Sequence, residues 1–194
     1  MFTGIINYYD EIKFSGEKII LKNKFGNIDI GESIALNGVC LTVEEKKEEF
    51  LIFSAGYATE KLTNIYKSKT VNAERALSAG DKLGGHYVYG HVDEMTVFLE
   101  KTKEKNSYRM KFKMPKEAHY IFKRCSIAIN GISLTVEDFS LDTFSVQVIP
   151  HTFENTNIKF LRYGDYVNIE YDYLLKFQRR YYEYIKNKRW ISKR

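Results

Sequence analysis

The residue types that could do chemistry gather at two places in this sequence. His86 and His91 lie five residues apart in the glycine-containing run Gly84–Asp93. A zinc site needs three or four ligands, and no cluster of cysteine or carboxylate residues accompanies these histidines, so their spacing is untypical of a metal site. Two interpretations stay open. Both histidines are structural, or they perform acid–base chemistry, because histidine titrates close to neutral pH.

The second place is a pair of related positions, Cys40 and Ser133. Each residue follows an Asn-Gly pair by two positions and precedes Leu-Thr-Val. A thiol in one copy and a hydroxyl in the other admits two explanations: small side chains that fill a tight interior, or two similar pockets with unequal roles. The sequence contains no Ser-His-Asp order, phosphate loop or dinucleotide fingerprint.

These two positions correspond because the sequence contains an internal repeat. Ser33–Glu44 and Ser126–Glu137 are identical at nine of twelve positions. Two further matches follow in the same order: Thr59–Ile65 with Thr152–Ile158, and Val71–Glu74 with Val167–Glu170. Three collinear matches indicate a duplicated domain of about 90 residues, which is too long for a solenoid repeat.

Each half of the sequence is rich in short predicted strands. Asn37-Gly38 and Asn130-Gly131 are strong hairpin signals, because both residue types tolerate a positive φ. The predicted strands are Ser33–Leu36, Leu41–Glu44, Phe50–Ser54, Val71–Glu74, Tyr108–Lys113, Phe144–Ile149 and Tyr166–Tyr171. Five or six short strands per half favour a small closed barrel, since closure removes exposed strand edges.

The sequence after Asp172 is predicted to form a helix. Its apolar residues fall on one stripe at helical spacing: Leu174, Phe177, Tyr181 and Ile185. Such a stripe outside two small barrels needs a partner, and self-association is the economical choice.

The net charge of +5 is concentrated in this C-terminal segment. Residues 176–194 carry eight basic residues and one acidic residue, whereas the other 175 residues carry 22 basic and 24 acidic ones. The predicted barrels are therefore close to neutral, which argues against a nucleic-acid-binding surface. The basic run is expected to be a solvated helix face.

Other sequence features concern the compartment. No apolar run reaches about 18 residues, so no membrane span is expected. The start Met1-Phe2-Thr3-Gly4 lacks the pattern of a signal peptide, and a cytoplasmic location is expected. Cys40 and Cys125 are accordingly expected to be free thiols.

Five motifs in this sequence resemble those of riboflavin synthase of the α-chain type, in the family's order: Met1–Ile6, Asn37–Val43, Gly85–Val92, Asn130–Val136 and Val148–Thr152. The resemblance implies an all-β fold of two tandem six-stranded Greek-key barrels and a C-terminal α-helix. The implied units are an N-terminal lumazine-binding barrel (1–85), a C-terminal lumazine-binding barrel (86–172) and a trimerisation helix with a basic tail (173–194).

The resemblance also implies an activity. Two molecules of 6,7-dimethyl-8-ribityllumazine exchange a four-carbon unit and give riboflavin and 5-amino-6-ribitylamino-2,4(1H,3H)-pyrimidinedione. No cofactor or metal is implied. The implied assembly is a homotrimer, in which the N-terminal barrel of one subunit faces the C-terminal barrel of its neighbour, and lumazine synthase is a candidate further partner. The alternative is a non-catalytic lumazine- or flavin-binding protein on the same fold, as in the accessory proteins of luminous bacteria.

Site residues follow from the resemblance position by position. Residues matched to positions linked with turnover are Ser33, Cys40, His91, Thr135 and Asp172. The N-terminal pocket would comprise Gly4, Ile5, Ile6, Cys40, Leu41, Thr42, Ser54, Ala55, Gly56, Tyr57, Ala58 and Thr59. The C-terminal pocket would comprise Gly90, His91, Val92, Arg124, Ser133, Leu134, Thr135, Gln147, Val148, Ile149, Pro150, His151 and Thr152.

Within this set, His91 and Asp172 are candidate bases for the acidic C7 methyl group of one lumazine, and Ser33 and Cys40 could assist addition to the other. The sequence departs from the family pattern at three positions. Arg124 replaces the usual lysine and keeps the charge without its point-like geometry, and Cys125 replaces a glycine. Ala58 stands where the family has a glutamate, so this carboxylate is either lost or shifted by two positions to Glu60.

Overall fold

The computed structural model describes residues 1–191, and its strands form two similar units. The first unit contains β1 (Tyr8–Ser15), β2 (Lys18–Lys22), β3 (Ser33–Leu36), β4 (Val39–Thr42), β5 (Glu45–Lys47), β6 (Phe50–Ser54), α1 (Tyr57–Leu62) and β7 (Thr70–Arg75). The second contains β8 (Glu94–Lys103), β9 (Tyr108–Lys113), β10 (Ser126–Ile129), β11 (Ile132–Phe139), β12 (Thr143–Val148), α2 (Pro150–Glu154) and β13 (Tyr166–Tyr171). Helix α3 (Tyr173–Ile191) follows, and short 3-10 turns span Ile65–Lys67, Ala118–Tyr120 and Asn157–Phe160.

The second unit is a closed antiparallel barrel with the strand order β10-β11-β12-β9-β8-β13. Its centre is filled by apolar side chains, including Phe112, Phe144 and Ile169, each at most 1% exposed. The first unit has its own apolar core, and its strands follow the equivalent order β4-β3-β7-β1-β2-β6-β5. The prediction of an all-β duplicated fold is therefore confirmed.

The two units differ where the barrel closes. In the second unit, β11 is one strand that pairs with both β10 and β12 and takes up an irregularity between Val136 and Asp138. In the first unit the equivalent strand is interrupted at Val43 and Glu44. Val43 N donates to Glu32 O, and Glu44 N donates to Ile52 O. Val136 N makes the same bond with Cys125 O in the second unit, so β4 and β5 together take the place of β11 without forming one continuous strand. The prediction of two barrel units is confirmed, and the closing strand is continuous in the second unit.

The Asn-Gly hairpins form as the sequence predicts. Asn37 and Gly38 have φ values of 48° and 77°, and Asn130 and Gly131 have 46° and 78°. Two consecutive positive φ values define the tight hairpin turn that Asn-Gly favours. Strand β4 begins two residues before the predicted start at Leu41, because its pairing with β3 continues up to the turn.

The two units pack against each other through these turns, around an approximate two-fold axis. Gly38 and Gly131 meet so closely that a Cβ on Gly131 would lie 2.7 Å from Gly38 N. Buried asparagines surround the pair, and their bonds are matched across the axis: Asn64 Nδ2 donates to Asn130 Oδ1 (3.1 Å), and Asn157 Nδ2 donates to Asn37 Oδ1 (2.9 Å). Because buried amide groups need hydrogen-bond partners, these bonds across the axis favour a single docking geometry.

Helix α3 leaves the second unit directly after β13. Asp172 caps it, since Asp172 Oδ1 accepts a hydrogen bond from Leu174 N at 2.9 Å. Leu175 packs on the second core, whereas Leu174, Phe177 and Tyr181 of the predicted stripe are more than half exposed in the single chain.

Lys193 and Arg194 of the basic run lie outside the described residues. Within the described chain, no helix is long and apolar enough to cross a membrane, and both cysteines are free thiols.

Candidate functional site

In each unit, one face of the Asn-Gly hairpin, β3–β4 or β10–β11, carries the polar and reactive side chains. Along β3 and β4, Ile34, Leu36 and Leu41 enter the core, so the alternating residues face the opposite side. Ser33 lies opposite Thr42 in the ladder, and Ala35 lies opposite Cys40. We call the surface formed by Ser33, Cys40 and Thr42 the Cys40 face.

The second unit repeats this arrangement. Ser126 lies opposite Thr135, and Ala128 lies opposite Ser133. We call the surface formed by Ser126, Ser133 and Thr135 the Ser133 face. Three residues matched to turnover positions (Ser33, Cys40 and Thr135) therefore occupy equivalent hairpin faces, two on the Cys40 face and one on the Ser133 face.

The chain segments that border these faces are exchanged between the units. Ser133 N donates to Gly4 O at 2.9 Å, and Ile6 packs on the second core. Cys40 N donates to Gly90 O at 2.9 Å, and Val92 packs on the first core. The Gly4–Ile6 segment therefore borders the C-terminal unit.

The sequence-based grouping placed Gly4–Ile6 with the N-terminal pocket and Gly90–Val92 with the C-terminal pocket, and the structure pairs them the other way round. The reason is a short antiparallel bridge at the centre of the molecule. Phe2 N donates to Val88 O (2.7 Å), and Val88 N donates to Phe2 O (3.1 Å). Each segment thus passes the other unit before it enters its own.

Both exchanged segments are tight against the reactive residues. A Cβ on Gly90 would lie 2.5 Å from Cys40 Cβ, and one on Gly4 would lie 2.5 Å from Ser133 N. Real Cβ atoms do not approach so closely, and both glycines also have a positive φ. The two motifs require glycine at these positions for this reason.

Two buried carboxylates hold the exchanged segments. Glu74 is 4% exposed and accepts hydrogen bonds from Thr3 N (2.8 Å) and Gly4 N (3.1 Å). Glu170 is 3% exposed and accepts from Tyr89 N (2.7 Å), Gly90 N (3.0 Å) and His91 N (3.1 Å). Burial raises the pKa of both carboxyl groups, and the N–H donors oppose that shift. Neither glutamate is among the predicted site residues, although each one ends a matched Val-Asn-x-Glu segment of the repeat.

The Ser133 face includes a histidine. His86 is 9% exposed, and its Nδ1 lies 2.7 Å from Ser133 Oγ. Burial lowers the pKa of His86, against a smaller opposing effect of the Asp172 carboxylate, so the neutral imidazole is favoured. A neutral imidazole bonded to a hydroxyl can accept or return its proton. In the part of the chain that the structure describes, no histidine bonds to Cys40 in this way.

His91, Asp172 and Arg124 lie at different places. His91 is exposed, next to Gly90 and therefore near the Cys40 face. Asp172 is near His86 but uses one oxygen to cap α3. Arg124 is exposed and has a φ of 71°.

The remaining predicted contacts follow β6 and β12 in equivalent positions. Ser54–Thr59 leads into α1, and Gln147–Thr152 leads into α2. Tyr57 and Ile149 are 71% and 59% exposed, so both segments are open in the single chain. Gln147 points elsewhere, because its amide donates to Glu104 (3.2 Å) and Glu137 (3.0 Å) in a surface network. Among residues 1–191, no three His, Cys, Asp or Glu side chains form a group that could hold a metal ion.

Comparison with solved structures supports the duplicated barrel fold. A crystal structure of LumP complexed with riboflavin superimposes with a TM-score of 0.77 and covers 88% of this chain and 99% of that one, at 23% identity. LumP complexed with 6,7-dimethyl-8-(1'-D-ribityl) lumazine gives a TM-score of 0.76 at 21% identity, with the same coverage. At these identities the likeness establishes the fold alone.

Sequence comparison establishes the family. The lumazine binding domain model matches residues 3–76 and 89–172. The riboflavin synthase of Actinobacillus pleuropneumoniae is 38% identical over 91% of this chain and 87% of its own length. The riboflavin synthase of Brucella abortus is 35% identical over 96% of this chain and all of its own length, and that of Bacillus subtilis is 33% identical over 93% and 89%. With two lumazine binding domains and relatives of this similarity over nearly its whole length, the chain belongs to the riboflavin synthase family.

Proposed function

We propose that this chain is an enzyme that converts two molecules of 6,7-dimethyl-8-ribityllumazine into riboflavin and 5-amino-6-ribitylamino-2,4(1H,3H)-pyrimidinedione. One lumazine gives up a four-carbon unit and the other receives it. The observation that carries the proposal is the pair of equivalent hairpin faces, each with one reactive side chain, Cys40 or Ser133, and each bordered by a glycine backbone.

The duplication suits a reaction between two identical substrates. Two sites of one design bind two copies of one molecule, and holding them in a fixed orientation replaces a bimolecular encounter by a step within the complex. The two roles, donor and acceptor, require a difference between the sites. That difference is available in the thiol of Cys40 and in the hydroxyl of Ser133 with its neighbouring His86.

The proposed chemistry needs a base for the C7 methyl group and a nucleophile at C7 of the second molecule. His91 and Asp172 remain our candidates for the base, and Ser33 and Cys40 for assisting addition. The His86–Ser133 pair is a further proton acceptor at the Ser133 face, because its buried imidazole is neutral and its partner is a hydroxyl 2.7 Å away. The predicted substrate contacts, including Arg124 and the residues of α1 and α2, remain proposals.

The proposal extends to assembly and location. We propose a homotrimer, because α3 exposes the apolar stripe of Leu174, Phe177 and Tyr181 and isolated stripes of this kind are covered in assemblies. The faces of neighbouring subunits would then complete each other. We propose a cytoplasmic location, lumazine synthase as the pathway partner, and domain boundaries at 1–85, 86–172 and 173–194.

The deciding experiment uses the purified chain and 6,7-dimethyl-8-ribityllumazine alone. We expect the lumazine absorbance to be replaced by that of riboflavin, with one riboflavin formed for two lumazines consumed. Tight binding without conversion would instead identify a non-catalytic binding protein on the LumP-like fold. If the chain neither binds nor converts the lumazine, both functions are rejected.

Two variants test the assigned roles. Ser33→Ala and His91→Ala are expected to slow turnover, because each removes a polar group from the Cys40 face or its border. Ser140→Ala, in the β11–β12 turn of the second unit, is the control and is expected to keep the wild-type rate. Wild-type rates for Ser33→Ala and His91→Ala would remove both residues from the mechanism.

A further inference from the structure

Glu74 and Glu170 have no part in the proposed chemistry, yet among residues 1–191 they are the two carboxylates that are buried almost completely. Burying a carboxylate is costly unless hydrogen bonds compensate for its lost hydration. Each is compensated by backbone N–H groups of the segment that precedes the first strand of its own unit.

We propose that Glu74 and Glu170 are positioning residues that act crosswise: each holds a chain segment of its own unit against the reactive face of the other unit. Glu74 in β7 holds Thr3–Gly4 against the Ser133 face. Glu170 in β13 holds Tyr89–His91 against the Cys40 face. As a statement about substrate sites, the proposal rests on the proposed function.

The hydrogen bonds that each carboxylate accepts hold its segment strongly. Glu74 accepts hydrogen bonds from Thr3 N, Thr3 Oγ1 and Gly4 N, at 2.8, 3.0 and 3.1 Å. Hydrogen bonds to a charged acceptor are stronger than neutral ones. A glutamine in the same place would offer one acceptor oxygen and would turn an NH₂ group toward N–H donors. At Glu170 the donors are divided between the two oxygens, so the neutral variant loses at least one bond. At Glu74 one oxygen accepts all three bonds, so the neutral variant loses the negative charge and the contact of Gly4 N with the second oxygen (3.1 Å).

Each held segment also forms a hydrogen bond with the backbone of the reactive residue. The carboxylate of Glu170 accepts a hydrogen bond from Gly90 N, and the carbonyl oxygen of Gly90 accepts one from Cys40 N at 2.9 Å. Gly4 connects Glu74 to Ser133 N in the same way. A single residue thus separates each carboxylate from the reactive position of the opposite unit, so releasing the carboxylate releases the border of that face.

The two held segments cross between the units. The Phe2–Val88 bridge holds the two segments side by side between the units. Because of it, the border of each face comes from the other unit, and each face is complete only when both units are folded and docked. A role in stability alone would predict similar effects at both faces, whereas positioning predicts an effect at the opposite face only.

The test measures alkylation of a thiol at each face with iodoacetamide in the full-length protein, with the modified site identified by mass spectrometry. In the wild type the probe is Cys40, which is partly exposed, while Cys125 is 5% exposed and serves as an internal check on unfolding. In a Cys40→Ser/Ser133→Cys protein, the thiol is moved to the Ser133 face.

The expected result is a reversal between the two backgrounds. With the thiol at Cys40, Glu170→Gln should raise the alkylation rate about tenfold, the loss expected for a charge-assisted hydrogen bond, and Glu74→Gln should change it less than about twofold. With the thiol moved to position 133, Glu74→Gln should give the large increase and Glu170→Gln the small one. Glu44→Gln, a carboxylate exposed on the surface of the first unit, is the control and should change neither rate.

Other outcomes would overturn the proposal. Equal acceleration at both faces by either variant, together with faster modification of Cys125, would indicate a role in stability alone. Unchanged rates would show that the carboxylates do not hold the segments. If the glutamine variants fail to fold, Glu74→Asp and Glu170→Asp keep the charge at a shorter reach and should show the same reversal at smaller size.

The labelling rates require no turnover, so they separate this proposal from the proposed function. A crossed labelling pattern in a protein that does not convert the lumazine would retain the positioning roles and reject the enzyme. Conversion of the lumazine without a crossed labelling pattern would retain the enzyme and reject the positioning roles.

Discussion

The two units share what lies on the axis between them and differ in what lies on their reactive faces. Both have an Asn-Gly turn, a buried asparagine after the short helix and a buried glutamate that holds a crossing segment. At the faces, Ser133 is bonded to His86, whereas Cys40 has no such partner among the described residues. The two units are therefore alike where they contact each other, and they differ at the faces to which the proposed function assigns unequal roles.

The reason is the geometry of a two-fold contact. At such an axis a residue meets its own counterpart, as Gly38 meets Gly131, so a change in one copy is felt by both. A face away from the axis can change alone. Differences between duplicated units are therefore expected at the faces, where two copies of one substrate must be distinguished.

The largest effect should come from breaking the shared part. Gly38→Ala and Gly131→Ala each place a Cβ within 2.8 Å of backbone nitrogen in the other unit and add an unfavourable φ. Overpacking and backbone strain each cost about 1–3 kcal/mol, so we expect each variant to lose about 3 kcal/mol or more of unfolding free energy. Urea denaturation measures it.

The matched control for this pair is Gly80→Ala. Gly80 also has a positive φ, of 95°, but nothing lies within 4 Å of its Cβ position. Strain alone should cost it about 1 kcal/mol. If Gly38→Ala costs no more than this control, the close contact at the axis does not matter, and the shared part of the two units is not what fixes the fold.

Much of this shared part could be predicted from the sequence. The Asn-Gly turns and the strands Phe50–Ser54, Tyr108–Lys113 and Tyr166–Tyr171 were found, because turn chemistry and aromatic or β-branched runs are local signals. Strands β1, β2, β5 and β8 are not among the predicted strands. Strand β1 has a single buried position, Ile12, so its sequence carries no clear alternation.

The crossing of the segments could not be predicted, because it depends on how the units dock. Sequence order suggests that Gly4 belongs with Cys40, and only the Phe2–Val88 bridge reverses this. The roles of Glu74 and Glu170 were hidden for a different reason. The repeat marked both positions, but an isolated carboxylate has no motif that separates a buried acceptor of backbone N–H groups from a surface residue.

The second prediction tests the difference between the faces. Ser133→Ala removes the partner of His86, and we expect kcat/KM to fall about 100-fold, the lower range for a proton-transfer group. Cys40→Ala removes a thiol without such a partner and should cost about tenfold. Steady-state kinetics with 6,7-dimethyl-8-ribityllumazine gives both values.

A double-mutant cycle shows whether Ser133 and His86 act as a pair. His86→Gln should resemble Ser133→Ala, and the double variant should be little worse than either, because residues that work together are not additive. Additive losses, or equal losses at Cys40 and Ser133, would remove the functional difference that we assign to the two faces.

The third prediction concerns the pH dependence of stability and tests the environment of His86 at the Ser133 face. Burial lowers the pKa of His86 in the folded protein, so the unfolded chain binds more protons below about pH 6.5, the ordinary value for histidine. The free energy of unfolding should therefore fall as the pH drops from about 7.5 through 6.5. His86→Gln should flatten this part of the curve, which urea denaturation at several pH values measures. Parallel curves for wild type and His86→Gln would contradict the assignment.

The smallest expected effect compares Arg124 with Gly31, its counterpart in the first unit. Both have a positive φ, 71° and 93°, and both donate their backbone N–H to the same kind of carbonyl, Val136 O and Val43 O at 2.8 Å. The second unit therefore keeps a strained arginine where the first unit has a glycine. We expect Arg124→Gly to raise the free energy of unfolding by about 0.5–1 kcal/mol in urea denaturation, because glycine adopts this φ without strain.

The same variant decides why the strain is kept. If Arg124 contributes its charge to a substrate site, as the family resemblance predicts, Arg124→Gly should be more stable and less active, with KM rising more than kcat falls. Arg124→Lys keeps the charge and the strain, and should retain more activity than the glycine variant. A glycine variant that gains stability and keeps its activity would show that the arginine serves no site, and that Gly31 and Arg124 differ without functional consequence. Strain that is retained at a cost in stability is best explained by a task for the side chain, and the paired measurement of stability and KM tests that task directly.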